Sequence, residues 1–148
     1  MIMFKYKPNL KRRIFATLID YGLYLLCFIA YVEWFGHPNA EGGKTVNGIL
    51  ALPLPLVWFL YFVCVEAFNG ATLGHIALNL RVVTADRKAI DFSDALKRHL
   101  LDFIDILFYG IPAIIAIRKS EKHQRLGDMW ADTIVIDMTD PEQYHQLN

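Results

Sequence analysis

A basic excess is missing from this chain: its 15 Lys and Arg residues are matched by 15 Asp and Glu. Nothing is left over to neutralise a phosphate backbone, so nucleic acid is excluded as a partner. Cysteine is scarce as well. Cys27 and Cys64 are the two present; each lies in an apolar run without a CxxC spacing or a neighbouring histidine. They read as small buried hydrophobes, not as metal ligands or a redox pair. Ser/His/Asp, zinc and phosphate-loop patterns are lacking at useful spacing. The expectation is therefore no enzyme, no metal and no cofactor. Repeats, low-complexity tracts and linkers are lacking too, which leaves one domain over residues 1–138 and a patternless, flexible tail over 139–148.

What the chain has in quantity is apolar sequence, 55% of residues, with every Lys and Arg outside the apolar runs. The first run, Ile14 to Phe35, has 22 residues. At about 1.5 Å per residue it is long enough for a hydrocarbon layer of about 30 Å. The basic start resembles the head of a signal peptide, but Asp20 and the lack of a small-residue cleavage site make the run a retained anchor. The second run, Ile49 to Phe68, has 20 residues. Its Pro53 and Pro55 fall in the first turns, where a missing amide donor costs little.

A third run, Leu100 to Ile117, carries Asp102 and Asp105 and is interrupted at Gly110-Ile111-Pro112. Cations number five before the first run, one between the first and second, five between the second and third, and four after it. Positive charge marks the cytoplasmic side, which places the N-terminus and the Asn69–His99 segment there. A re-entrant hairpin in the third run keeps the last four cations on that side, whereas a true crossing exports them; the hairpin is preferred. Leu80–Thr84 and Thr133–Asp137 read as strands, with a turn at Ala85–Lys88. They can pair only if both lie on the same side of the membrane. The fold expected is an all-α membrane protein: two transmembrane helices, a third re-entrant or spanning broken helix, and a small cytoplasmic β element.

Polar residues inside the runs follow helical spacing. Arg13, Thr17, Asp20, Tyr24, Cys27 and Tyr31 share one face of the first helix. With Ser93 as N-cap, Asp94, Arg98, Asp102, Asp105 and Tyr109 share a face of the third, opposite Leu96, Leu100, Phe103 and Leu107. Arg98 and Asp102 stand at the i,i+4 spacing of an ion pair. Glu66 ends the second helix near the same boundary. Charges facing lipid cost several kcal/mol, so these residues predict a polar cluster of Asp20, Glu66, Arg98, Asp102 and Asp105 just inside the membrane. Asp20 is expected to be buried opposite Arg98 or Arg125. Two readings stay open: salt bridges that orient helices, and a cation or proton pathway. Other motifs say less. Thr72-Leu73-Gly74-His75 suggests a sharp turn with an interfacial histidine, and Gln124–Asp128 a short helix from which Arg125 reaches membrane carboxylates or lipid phosphates.

Taken together, these blocks resemble the RDD family of bacterial membrane proteins, named for one arginine and two aspartates. Arg13 and Asp20 in Arg13-Ile14-Phe15-Ala16-Thr17-Leu18-Ile19-Asp20 match the first two. Asp128 in Gln124-Arg125-Leu126-Gly127-Asp128 matches the third. Glu66 to His75, leading into Leu80-Arg81-Val82-Val83, is a further matching block, and Arg98 fits ahead of the third run. The resemblance covers about Arg13 to Val135; it departs at His75, where the family often has lysine. It implies a small polytopic protein of the bacterial cytoplasmic (inner) membrane. Some members are linked to sodium/proton antiport, and others are modules fused or paired with different proteins. The expectation is thus cation/proton exchange through a carboxylate and arginine cluster of Asp20, Glu66, Arg98, Asp102, Asp105 and Arg125. The alternative is a non-catalytic assembly or accessory module that binds partner proteins or lipid. Expected partners are membrane lipid, monovalent cations and protons, and a second copy or a partner membrane protein.

Overall fold

The computed structural model describes residues 6–144, apart from the Leu107 side chain. The first apolar run is one continuous helix, α1, Leu10–Phe35, which stops where the chain turns extended at Gly36. A small hairpin follows, β1 (His37–Pro38) paired with β2 (Lys44–Thr45). The second run is α2, Gly48–Asn69, with both prolines in its opening turns. Its stretch Phe59–Cys64 is wound as a π-helix, and it ends at Gly70 in a left-handed conformation. α1 and α2 are each long and apolar enough to cross a membrane, and only 11% of each apolar window is buried inside the protein. Phe15, Leu18, Leu25 and Leu26 on α1 and Leu52, Leu56 and Leu60 on α2 face outward. In water such a surface is an association site; in a bilayer it is the lipid contact. Cys27, expected to be buried, is part of that outer surface, because the buried residues of α1, Arg13, Ala16 and Asp20, all lie in its first half.

Beyond α2 come a short helix, α3 (Leu73–Ala77), and strand β3 (Leu80–Thr84). The next helical stretch, α4, is Phe92–Ile106, and it is bent by 96° against the one that follows. The bend runs through Phe108, Tyr109 and Gly110, all with positive φ, before α5, Ile111–Lys119. The break therefore begins two residues ahead of the expected Gly110–Pro112 interruption. Tyr109, expected on the polar face, is fully exposed instead, at 100%, because the helix has already ended there. The chain closes with α6 (Leu126–Ala131), β4 (Thr133–Asp137) and α7 (Pro141–Tyr144).

Both predicted strands form, and they pair antiparallel from Leu80↔Asp137 to Thr84↔Thr133. One face of this ribbon packs Leu80, Val82 and Val135 on Ala16, Val63, Ile90 and Ala95; the other gathers Val83, Ile134 and Ile136. The ribbon thus ties the far ends of the third apolar segment together. The base of α1 joins the same end: Arg12 Nη1 lies 2.6 Å from Asp137 Oδ2, and Lys7 pairs with Asp140. The segment from Thr139, expected to be frayed, carries α7, whose Gln143 is buried and accepts the Asp137 N–H at 2.7 Å. Residues 145–148 of that tail, and Lys5 of the basic head, lie outside the described residues.

Candidate functional site

Three backbone features bring the charges together. α4 starts in a capping box in which Asp91, not the expected Ser93, takes the cap: its carboxylate accepts the Asp94 N–H at 2.8 Å, and Asp94 accepts the Asp91 N–H. Asp reaches this amide as well as Ser does and adds a charge favoured by the helix dipole. Second, α4 interrupts its regular winding at Leu101. The Arg98 and Asp102 side chains consequently do not meet as an i,i+4 pair. Third, α6 lies directly on α4. A Cβ added at Gly127 would stand 2.4 Å from the Arg98 carbonyl oxygen, so no other residue permits this approach.

The centre is Asp128, fully buried. Arg13 Nη2 reaches its Oδ2 at 2.5 Å, Arg98 Nη1 pairs with its Oδ1, and Arg125 Nε lies 3.3 Å from that oxygen. Burial pushes this carboxyl up, but Arg98, Arg13 and Arg125 overcome that and hold it well below the usual carboxylate range. Burial acts the other way on Arg125, where Asp102, Asp128 and Asp105 prevail and raise its proton affinity. Outward from this centre, Arg98 Nε donates to Glu66 Oε1 at 2.7 Å. Arg125 Nη1 stands 2.7 Å from Asp102 Oδ1, and Asp105 accepts the Leu126 and Gly127 amides at 3.2 Å each. Glu66, Arg98, Asp102, Asp105 and Arg125 are therefore brought together as expected, with Arg13 and Asp128 added.

Asp20 is buried but opposes no arginine. Its oxygens accept Tyr61 Oη and Thr72 Oγ1 at 2.6 Å each and the Gly74 N–H at 2.7 Å, while His75 Nδ1 stands 3.5 Å away. The turn 70–75 docks against α1 so closely that a Cβ at Gly74 would lie 2.2 Å from the Ala16 carbonyl oxygen. Neutral donors from that turn fill the place expected for a guanidinium. The three residues of the sequence pattern thus serve two sites, Arg13 with Asp128 and Asp20 by itself.

Sequence reasoning missed His99 and Tyr21. His99 Nδ1 is 2.7 Å from Asp102 Oδ2, which also accepts Tyr21 Oη at 2.6 Å. His99 Nε2 faces Glu66 Oε1 at 3.2 Å. Trp58 and Phe62 pack around the imidazole, with ring centroids at 6.4 and 5.4 Å. The available signal was the His99–Asp102 spacing of three, which puts both on one helical face. Beside them opens a cavity of about 530 Å³ lined by Tyr21, Trp58, His99, Asp102, Phe103 and Ile106. The second oxygen of Glu66 is buried and, among the described residues, has no hydrogen-bond partner. Among the described residues, no group of three or more His, Cys, Asp or Glu is arranged to hold a metal ion.

Compared with known families, residues 7–132 match the model of the RDD family. No curated protein matches the chain, and no solved structure does.

Proposed function

The chain belongs to the RDD family, and on that footing we propose that it exchanges a monovalent cation for protons in a bacterial cytoplasmic membrane. It is a transporter in this reading, not an enzyme. The observation that carries it is the position of His99. This residue bridges Glu66 and Asp102 and is, with Asp102, the part of the charged cluster that borders a cavity. Arg13, Arg98 and Arg125 face four acids: Glu66, Asp102, Asp105 and Asp128. A proton on His99 balances the set, and a cation entering beside Asp102 and Glu66 does the same once that proton leaves. Exchange follows from this equivalence, because a buried cluster with one uncompensated charge is costly.

The topology that goes with this reading is a pair of full crossings and one re-entrant hairpin. Pairing of β3 with β4 supports it, since the strands flank the bent segment and must share a side. The ties from Arg12 to Asp137 and from Lys7 to Asp140 support an N-terminus on that same side, and the cation count favours the cytoplasm. One chain encloses little space between two crossings, so the working unit is a homo-oligomer.

Proteoliposomes with an internal pH dye test the exchange. Adding Na⁺, Li⁺ or K⁺ should produce proton flux absent from protein-free vesicles. His99→Gln and Asp102→Asn should abolish flux per folded molecule. Flux unchanged in both variants removes the cavity from the mechanism. A second reading, a membrane assembly module, draws on the near-complete pairing of arginines with acids. A silent protein that co-purifies with a defined membrane partner would favour it.

A further inference from the structure

A second cavity lies away from the charged cluster, where α5 meets α6. Its volume is about 750 Å³, and Ile111, Ile115, Leu126 and Met129 supply its apolar wall, with Lys119 and Ser120 at one end. It runs the length of α5, nine residues, or about 13 Å at the helical rise. Lys119 and its neighbour Arg118 are exposed in the last turn of α5. Among the described residues neither has a carboxylate partner, whereas Lys122 just beyond is engaged by Asp132 at 3.2 Å. Exposed Met129 and Trp130 continue the apolar rim on α6.

A trough that is apolar along its length and cationic at one end is complementary to an amphiphile with an acyl tail and an anionic head. A second helix would fill the trough without using the two cations, and a soluble anion would use the cations without the trough. We propose that this groove is a binding site for an anionic phospholipid. Its acyl chain lies along Ile111, Ile115 and Met129, and its phosphate meets Lys119 and Arg118. The site is separate from the exchange cluster and does not depend on it.

Native mass spectrometry of the whole chain, released from neutral detergent, tests the site. The probes are phosphatidylglycerol and phosphatidylcholine with the same acyl chains, and inorganic phosphate. Phosphatidylglycerol should be retained roughly thirtyfold better than phosphatidylcholine, the scale set by two cations near a membrane surface. Phosphate should not compete. The double variant Arg118→Gln, Lys119→Gln should lose the preference, and Ala116→Trp, which fills the groove, should lose the bound lipid. Equal retention of the two lipids overturns the proposal, as does a preference that survives the double variant. Competition by phosphate would mean a headgroup site alone and also overturns it. So does a dimer without lipid that Ala116→Trp disrupts, since a second copy would then occupy the groove. Where a variant fails to fold, the wild-type comparison of the two lipids and phosphate still decides.

Discussion

Asp20 and Asp128 are both buried, at 2% and 0% exposure, yet they are stabilised by opposite means. Asp20 draws on two hydroxyls and one amide, each aimed at a particular oxygen. Asp128 draws on three guanidiniums from α1, α4 and the start of α6. Directed neutral donors specify geometry, so Asp20 fixes how the 70–75 turn sits on α1. Charge acts over distance, so Asp128 fixes which segments gather, with less demand on angles. The first is a joint and the second a clasp.

Asp128→Asn should break the clasp with the largest effect. It leaves Arg13, Arg98 and Arg125 short of one counter-charge, a loss of about 3–5 kcal/mol for a buried pair, read as a lower melting temperature in detergent. The pH response carries the same information. Because Asp128 binds protons less readily in the folded chain than in the unfolded one, its contribution is present above the unfolded value of about 3.9. It is lost as pH falls through the lower folded value. The wild type should lose this stabilisation only in strong acid, and Asp128→Asn should lack that acid-dependent component.

Asp20→Asn should cost less, about 1–3 kcal/mol, because one acceptor facing hydroxyl and amide donors becomes an amide group with donors of its own. Its signature is local: faster hydrogen exchange in residues 70–78, with α6 unaffected. Equal destabilisation by both Asn variants would erase the distinction between joint and clasp. Asp91→Ala removes the α4 cap and should cost about 1 kcal/mol, loosening Arg98 and His99 together. Lys7→Ala should change least. Its pair with Asp140 is half-buried at the surface, so any effect should shrink in high salt.

The two long apolar helices and both strands were legible because each depends on its own residues: long apolar runs in Ile14–Phe35 and Ile49–Phe68, β-branched runs in Leu80–Thr84 and Thr133–Asp137. The membership of the cluster was legible for a related reason, since charges inside apolar segments must point inward. Who pairs with whom was not. Arg98 and Asp102 have the spacing of partners, but the irregular turn at Leu101 sends Arg98 to Glu66 and Asp128 and leaves Asp102 to His99 and Arg125. The Asp20 joint depends on Gly74 letting one backbone touch another, which no period in the sequence encodes. His99 was hidden by its neighbour, for beside Arg98 it looked like one more polar residue at a helix end.

The order of the clasp along the chain has a consequence for biogenesis. Arg13, Arg98 and Arg125 all precede Asp128, and β4, the strand beyond the bent segment, comes later still. A ribosome therefore releases both long helices and the bent segment before Arg13 meets its counter-charge, and α1 cannot seat its base until β4 emerges. Assembly of the clasp thus waits for residues 128–137. Chains cut short before Asp128 would leave Arg13 at the base of α1 without this counter-charge.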